Sequence, residues 1–344
     1  MISKVIPFAE KNFLPDWLIR IGIRQLMKAK LKEQSSLYSA NVYEQKTGWI
    51  NSMKESPVAF SSGKANKQHY EVPAEFFEQV LGPRMKYSSC VWDSNVNTLE
   101  EAENQMLHLT AERSGIKDGM KILDLGCGWG SFSLYIAENY PLCDIVSVSN
   151  SNDQGNYIRQ VCRDRGYSNV SFIKADMNKF DTALRFDRIV SIEMFEHMRN
   201  YKLMLERISN WLKKDGSLFL HFFCHKDYAY PYEVNSNSDW MTRYFFTGGM
   251  MPSFDLLHYF QDDLVLINSW QVNGSHYKKT CRAWLSNQDK KREIIMKTFH
   301  QFYGEDSNLW FYRWRIFWMA CEELFAFNDG KEWFVGHFLM KKRQ

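Results

Sequence analysis

The chain has 344 residues, of which 45% are hydrophobic and 24% are charged, and its formal net charge is +3. This length suits one large α/β domain with additions, or two modest domains. A nearly neutral chain argues against an extended nucleic-acid partner. No uncharged apolar run reaches the roughly 18 to 20 residues that a membrane span requires.

Cysteine and aromatic content add two constraints. The seven cysteines form no CxxC pair and no secretory leader is recognisable, so we expect a reduced protein in the cytoplasm. Aromatic residues make up 16% of the chain. They indicate either a large ring-rich core or a pocket walled with rings, which would suit a cationic or aromatic small molecule.

Residues 1–115 are predicted to form a helical N-terminal extension or cap. Apolar side chains in the first 35 residues recur at roughly helical spacing, at Leu14, Trp17, Leu18, Ile21 and Leu26. Basic residues occupy the other faces of this helix. It either packs on the main domain, which we favour, or lies on a membrane surface. The helical pattern then continues to residue 115, with a break at 61–63.

Residues 116–224 alternate between short buried strands and helices. The predicted strands are 121–125, 144–149, 170–175, 186–192 and 217–223. The predicted helices are 131–139, 154–165 and 204–212, and a turn is predicted at 215–216. Repeated β–α units of this length predict an α/β protein with a doubly wound parallel sheet.

The remaining residues are less regular. Residues 225–262 are rich in aromatic side chains and are predicted to form a lid or insertion over the carboxyl edge of the sheet. Residues 263–344 contain helices and two more candidate strands, 264–270 and 333–340. These two strands would complete a seven-stranded sheet.

A glycine-rich turn follows the first predicted strand, in Leu123-Asp124-Leu125-Gly126-Cys127-Gly128-Trp129-Gly130. Glycines there let the backbone turn tightly and approach a ligand closely. NAD-binding proteins use similar glycines, but here Ser131 replaces the last glycine of GxGxxG. Asp124 adds a carboxylate, which suits the ammonium group of a sulfonium amino acid better than a pyrophosphate. We therefore predict an S-adenosylmethionine site that includes Asp124, Gly126, Gly128 and Gly130.

The next two strand ends supply further cofactor candidates. No carboxylate follows the second strand before Asp153, so Ser149 and Gln154 would bind the sugar hydroxyls unless they only cap a helix. Asp176 and Met177 follow the third strand. They would meet the edge and face of the adenine, or form a simple turn.

Two carboxylates and an imidazole follow the fourth strand, at Glu193, Glu196 and His197. Ligands bind at this edge of such sheets, and the fifth strand should bring His221 close to Glu196. An alkylamine with a pKa near ~10 arrives protonated and must lose its proton before it accepts a methyl group. A Glu or His that takes this proton contributes roughly 10²- to 10⁴-fold in rate. The alternative is that these side chains only cap a helix.

A metal site is not expected at the end of the fifth strand. His221, Cys224 and His225 are ligand-type residues, but positions 221 and 224 of a strand point to opposite faces.

With these residues in place, the chain resembles the coclaurine N-methyltransferase-like proteins, which are small-molecule N-methyltransferases related to cyclopropane fatty acid synthases. The resemblance covers almost the whole chain, through segments 10–16, 68–73, 86–90, 123–130, 193–201, 224–226, 259–263 and 330–333. It implies the Rossmann-like fold of class I S-adenosylmethionine-dependent methyltransferases.

The resemblance also implies roles for particular residues. Tyr87, Ser88, Gly126 and Gln154 would contact S-adenosylmethionine, whose product is S-adenosylhomocysteine. Three residues would line the amine site, with the last two assisting proton removal: Glu193, Glu196 and His197. The implied substrate wall comprises Trp240, Phe246, Tyr259, Phe317, Glu323, Phe325 and Trp333.

One departure widens the choice of substrate. His221-Phe222 stands where the alkaloid enzymes have Glu-His, and a histidine there resembles the cyclopropane synthases, which hold bicarbonate as a base. Glu196, His221 and Tyr277 match three of the four bicarbonate ligands, but Ser89 stands where the synthases have cysteine.

Three hypotheses follow for the function. The leading one is N-methylation of a small aromatic or alkyl amine. The first rival is cyclopropane-synthase-like transfer to unsaturated lipid chains with bound bicarbonate. The second is a non-catalytic scaffold that binds S-adenosylmethionine. We expect a small-molecule amine as partner and no nucleic acid. Peripheral membrane contact is not expected, and a homodimer is one open alternative for the assembly.

Overall fold

The computed structural model describes residues 5–40, 42–60, 72–236 and 239–343. The break predicted at 61–63, and residues 68–71 of the family resemblance, lie outside these ranges. Within them, no helix is both long enough and apolar enough to cross a membrane.

Five helices precede the first strand in the described part of the chain. They are α1 (Ile6–Glu10), α2 (Asp16–Ala40), α3 (Val42–Glu55), α4 (Ala74–Val80) and α5 (Leu99–Ser114). The start of α5 is set by a capping box, in which the Thr98 hydroxyl accepts from the Glu101 N–H and the Glu101 carboxylate accepts from the Thr98 N–H. Gly115, with a φ of +65°, ends this helix and leads into the sheet.

The central part of the chain alternates between strand and helix, except that β3 and β4 follow each other without a helix between them. The strands are β1 (Lys121–Leu125), β2 (Asp144–Ser149), β3 (Val170–Lys174), β4 (Phe186–Ile192) and β5 (Leu212–His225). The helices are α6 (Ser131–Asn139), α7 (Asn152–Arg165) and α8 (Tyr201–Trp211). All five predicted strands and all three predicted helices are present.

The turn predicted at 215–216 is wrong. These residues lie inside β5, where the pairing with β4 jumps from Phe186–Leu212 to Arg188–Ser217. The intervening residues form a bulge whose side chains at 213–215 are exposed. Asp and Gly favour both turns and bulges, so the sequence alone does not separate the two.

The C-terminal part completes the sheet. It contains a short hairpin of β6 (Tyr230–Pro231) and β7 (Met250–Met251), with α9 (Trp240–Tyr244) between them. The elements β8 (Leu264–Val272), α10 (Gly274–Lys290), α11 (Arg292–Tyr303), α12 (Ser307–Ala326) and β9 (Trp333–Lys342) follow.

The seven-stranded sheet has the order β3-β2-β1-β4-β5-β9-β8. Strands β1 to β5 are parallel, and β9 is antiparallel to both of its neighbours. This arrangement confirms the predicted doubly wound α/β sheet. The strand order reverses between β1 and β4, and ligands bind outside the carboxyl ends of the strands at such a point.

Aromatic residues serve both as core and as cavity wall. Trp129, Trp211, Trp284, Trp314, Trp318 and Trp333 are fully buried. Two of them, Trp314 and Trp318, pack with Phe76 and Phe77 in a core between α4 and the C-terminal helices. Much of the aromatic content is therefore ordinary core.

Helix α2 packs on the main domain through ion pairs with α12. Arg20 donates to Glu322 at 2.7 Å and to Glu323 at 2.8 Å, and its side chain is only 19% exposed. Arg24, 48% exposed, lies 3.3 Å from Glu323. These contacts agree with the packed-helix alternative for the N-terminal segment.

Arg20→Met is expected to destabilise the fold by about 1 to 3 kcal/mol, because it leaves two largely buried carboxylates with fewer donors. Arg24→Met removes a more exposed pair and is expected to cost less than about 1 kcal/mol. Denaturant unfolding of both variants measures the difference. Equal losses would show that α2 is not held by the Arg20 contacts.

Candidate active site

A cavity of about 770 Å³ lies between the N-terminal helices, the C-terminal helices and the end of β4. Glu193, Glu196 and His197 line it, as does Tyr87. Five of the predicted wall residues also line it, namely Trp240, Phe246, Phe317, Phe325 and Trp333, and so does Tyr277. Among the predicted residues alone, the structure thus brings together positions that are up to 246 residues apart, from Tyr87 to Trp333.

Two predicted wall residues lie elsewhere. Tyr259 is 42% exposed and its ring packs under the Lys46 ammonium group, 5.2 Å from the centroid. Glu323 forms ion pairs with Arg20 and Arg24 and does not line the cavity. The family resemblance identified these positions, but ion pairing and exposure place both away from the cavity.

Several cavity residues were not predicted. Five are aromatic, namely Phe223, Tyr230, Tyr232, Trp284 and Trp318, and another group comes from α1 and α2, including Ile6, Ile19, Ile23 and Met27. The apolar spacing of α2 predicted a buried face, but nothing in the sequence indicates that this face closes a cavity rather than a core.

A smaller cleft of about 90 Å³ adjoins the glycine turn. Six predicted cofactor residues line it: Gly126, Gly128, Ser149, Gln154, Asp176 and Met177. Met194, Thr247 and Gly248 line it as well and were not predicted. Asn150 also lines the cleft and was not predicted. It directly follows Ser149, so its position at the end of β2 could have identified it.

The glycine turn is packed tightly on two sides and open on a third. Gly126, Gly128 and Gly130 all have φ values between +53° and +82°. A Cβ on Gly126 would lie 2.8 Å from Met194 Sδ, and one on Gly130 would lie 2.6 Å from Ile158 Cγ1. A Cβ on Gly128 would meet nothing within 4 Å. Gly130 therefore supports helix packing, whereas Gly128 leaves room at the cleft.

Asp124 lies beneath this turn rather than in the cleft. It is 1% exposed and its carboxylate accepts a hydrogen bond of 2.6 Å from the Ser133 hydroxyl at the start of α6. Burial raises the pKa of Asp124 to about 6. The prediction that it faces the cofactor's ammonium group is thus replaced by a position that ties β1 to α6.

Ser88 also lies outside both cavities. It is buried, and its hydroxyl accepts a hydrogen bond of 2.5 Å from the buried Lys86 ammonium group. Lys86 Nζ donates at 2.7 Å to the Ser89 carbonyl as well. Burial lowers the pKa of Lys86. The segment 86–89 thus forms the floor beside Glu193 and presents only Tyr87 to the large cavity.

The cleft contains an unpaired buried donor. The Ser149 hydroxyl donates to Gln154 Oε1 at 2.5 Å, so the Ser149 contact leaves the Gln154 Nε2 donor unused. Within the described ranges this buried Nε2 has no hydrogen-bond partner. A buried amide without a partner is costly, so a ligand hydroxyl at this point would be stabilising. The cleft therefore fits the sugar of S-adenosylmethionine.

Glu193 and His197 line both the large cavity and the cleft, so the two spaces meet at these side chains. Glu193 has a φ of +50°, a strained value for a non-glycine residue that turns the chain sharply after β4. His197 follows in a short 3₁₀ turn, Phe195–His197, and stacks on Phe246 with ring centroids 4.5 Å apart.

Burial sets the protonation of this group. It raises the pKa of Glu193 and of Glu196, and the mutual repulsion of the two carboxylates raises that of Glu196 further. Burial lowers the pKa of His197 to about 4. The imidazole of His197 is therefore neutral at neutral pH. Glu196 Oε2 is buried and has no hydrogen-bond partner in the described part of the chain.

The sequence predicts His221 close to Glu196, but the structure pairs His221 with Glu193 instead. Its Nε2 lies 3.2 Å from Glu193 Oε1, and its Nδ1 lies 2.9 Å from His337 Nε2. It is fully buried and lines neither cavity. Both ring nitrogens are engaged, so His221 has none left for an ion.

The bicarbonate site suggested by the sequence is therefore not assembled. Tyr277 lines the large cavity and stacks on Phe325, but Ser89 is buried outside both cavities. Among the described residues, no group of three or more His, Cys, Asp or Glu side chains is placed to hold a metal ion.

A glycine turn after β1, a polar cleft at the reversal of strand order and an adjoining ring-walled cavity define a class I S-adenosylmethionine-dependent methyltransferase. Residues 60–331 match the model of the family described as mycolic acid cyclopropane synthetase. The chain belongs to this family.

Comparison with known proteins places it near the N-methyltransferases of this family. It is 36% identical to (S)-coclaurine N-methyltransferase of Thalictrum flavum subsp. glaucum, over 100% of this chain and 96% of the relative. It is 34% identical to pavine N-methyltransferase of the same plant, over 93% and 92%. A crystal structure of coclaurine N-methyltransferase bound to N-methylheliamine and SAH superimposes with a TM-score of 0.95 at 36% identity, covering 99% of each chain.

Proposed function

We propose that this enzyme transfers a methyl group from S-adenosylmethionine to the nitrogen of a small aromatic or alkyl amine. One observation carries the proposal: Glu193 and His197 stand where the large cavity meets the cleft. An amine nitrogen at that junction would have proton acceptors beside it. The similarity to coclaurine and pavine N-methyltransferases supports the same choice.

The cleft residues would hold the cofactor. Gln154 Nε2 and Ser149 would bind hydroxyl groups, and Asp176 and Met177 would contact the adenine. The open side of Gly128 would let the cofactor approach the glycine backbone closely. S-adenosylmethionine, when bound, supplies a methyl group on a positively charged sulfur that a neutral amine can accept.

Removal of the substrate proton would fall to the carboxylate pair. A bound ammonium ion adds positive charge beside Glu193 and Glu196 and favours their ionised forms. The proton then passes from the ammonium nitrogen to Glu196, whose Oε2 has no other partner among the described residues. His197 would act as a hydrogen-bond acceptor that orients the nitrogen lone pair.

The cavity walls would select the rest of the substrate. Rings such as Tyr87, Tyr277, Phe317 and Trp333 surround the space beside the carboxylates. Aromatic faces attract a cation and also pack against a substrate ring. We infer that α2 and the described residues of 225–262 act together as the cover of this space.

All seven cysteines are free, in keeping with a reducing cytoplasm.

The direct test incubates the protein with methyl-labelled S-adenosylmethionine, an amine panel and phospholipid vesicles in separate reactions. Label in one or more amines is the expected result. Label in lipid alone would replace the proposal with carbon methylation of lipid chains. Added bicarbonate is expected to leave the rate unchanged, because His221 is engaged with Glu193 and His337.

The pH dependence separates Glu196 from His197. Because burial raises the pKa of the carboxylate pair, kcat/KM is expected to fall on acidification well above the ordinary glutamate range. His197, with its pKa lowered to about 4, adds no limb near neutrality. His197→Ala should lower the rate but keep the acid limb. An acid limb that disappears in His197→Ala would assign it to the imidazole.

A further inference from the structure

A row of side chains crosses the sheet directly behind Glu193. His221 on β5 pairs in register with His337 on β9, and His337 pairs in register with Trp270 on β8. Arg113, near the end of α5, covers this row: its guanidinium lies 4.9 Å from the Trp270 ring centroid. The four residues come from four separate elements and meet only in the folded sheet.

Three hydrogen bonds join this row to the active site. Arg113 NH1 lies 2.8 Å from His337 Nδ1, His337 Nε2 lies 2.9 Å from His221 Nδ1, and His221 Nε2 lies 3.2 Å from Glu193 Oε1. Both histidines are completely buried. Neither His337 nor Arg113 has a role in the methyl transfer proposed above.

The guanidinium sets the direction of all three bonds. Arginine has donors and no acceptor, so His337 Nδ1 must accept and must carry no proton. His337 then carries its proton on Nε2 and donates to His221 Nδ1. By the same reasoning His221 carries its proton on Nε2 and donates to Glu193. Burial, together with the positive charge of Arg113, lowers the pKa of both imidazoles, so both are neutral.

We propose that Arg113 and His337 are positioning residues that lock His221 as a hydrogen-bond donor to Glu193. The lock favours the ionised form of Glu193 and prevents either imidazole from taking up the substrate proton. Reversing the direction of these hydrogen bonds would put a proton on His337 Nδ1, facing the guanidinium donors. The proton taken from an amine therefore stays within the Glu193–Glu196 pair. This last consequence rests on the proposed amine methylation, whereas the lock itself does not.

Other charged and titratable groups face Glu193 from the neighbouring elements. Glu196 lies on the same segment, Lys86 approaches from the segment before α5, and Tyr277 approaches from α10. The Lys86 charge also favours the ionised Glu193. Loss of the hydrogen bonds through His221 and His337 is therefore expected to weaken, not abolish, the preference of Glu193 for its ionised form.

The first test is nitrogen-15 NMR of the imidazoles in the whole protein without substrate. Histidines 221 and 337 are expected to appear as neutral Nε2–H tautomers that do not titrate between pH 6 and pH 8. Single substitutions assign the two signals, with exposed His108 on α5 as a reference histidine. A Nδ1–H tautomer of His337, or titration of either ring near pH 7, would overturn the lock. This readout is independent of any substrate.

The second test compares Arg113→Lys with Arg113→Gln. Lysine donates and cannot accept, so Arg113→Lys should retain both tautomers and the wild-type pH profile. Glutamine can accept, so Arg113→Gln should populate the Nδ1–H form of His337. It should also move the acid limb of kcat/KM to higher pH by about one unit, because Glu193 loses support for its charge.

His337→Phe provides an independent check of the same idea. It removes the hydrogen bond to His221 Nδ1 and should shift the acid limb of kcat/KM in the same direction. The KM for S-adenosylmethionine should stay within about twofold of the wild-type value. If Arg113→Gln and His337→Phe lower activity only in proportion to thermal stability, with no shift of the acid limb, the two residues are merely structural and the proposal fails.

Discussion

Glu196→Gln is expected to lower kcat for the best amine by about 10²-fold or more, with the affinity for S-adenosylmethionine unchanged. Glutamine has nearly the shape of glutamate but cannot take up a proton. Glu196 lines the large cavity and its Oε2 has no partner in the described part of the chain. Removing it leaves the substrate ammonium without its acceptor, whereas the cofactor cleft is lined by other residues.

The pH dependence of this defect makes the prediction specific. At higher pH a larger fraction of the amine is already neutral, so the ratio of wild-type to variant kcat/KM should shrink as pH rises. Glu206→Gln is the matched control, because Glu206 is an exposed carboxylate on α8, ten residues further on. Calorimetric titration of the cofactor and steady-state kinetics measure both parts. A defect that stays constant across pH would remove Glu196 from proton transfer.

Gly126→Ala is expected to weaken S-adenosylmethionine binding by about tenfold to a hundredfold, from an overpacking cost of about 1 to 3 kcal/mol. The new Cβ would meet Met194 Sδ at 2.8 Å and Met194 Cβ at 2.9 Å. Met194 lines the cleft, so its displacement would narrow the space for the cofactor. The φ of +82° at Gly126 adds a backbone cost of roughly 1 to 2 kcal/mol for any L-residue.

Gly166→Ala separates the two costs. Gly166 has a similar φ of +72° at the end of α7, but a Cβ there would meet nothing within 4 Å. It should therefore lower stability by the backbone cost alone and leave cofactor binding unchanged. Thermal unfolding and calorimetric titration of both variants give the comparison. Equal cofactor affinity in Gly126→Ala and Gly166→Ala would show that the Met194 contact is unimportant.

Local patterns in the sequence were sufficient for the strands and helices of the sheet. The alternation of buried strands and amphipathic helices from 121 to 225 depends on side chains a few residues apart, which periodicity records. The residues at the strand ends followed directly, since parallel strands present their carboxyl ends at one edge. Gly126, Gln154 and Glu193 were all identified in this way, and all three line the cleft.

Sequence reasoning failed where a contact joins distant elements. The position of His221 against Glu193 depends on the exact end of β4 and on the strained φ of Glu193, which no spacing rule contains. The partnership of His221 with His337 depends on the register between β5 and β9, 116 residues apart. Tyr259 and Glu323 were misplaced for the same reason, because exposure and ion pairing are decided by neighbours far along the chain.

The sequence by itself determined the fold class, the cofactor and the carboxylate pair, because each is encoded in a short segment. The glycine turn, the strand endings and the Glu193–His197 segment all carry their chemistry within a few residues. Only the tertiary structure decided that α2 lines the large cavity, that Asp124 lies beneath the turn, and that His221 is hydrogen-bonded to Glu193. These features come from packing between separate elements, where burial and hydrogen bonding depend on three-dimensional neighbours.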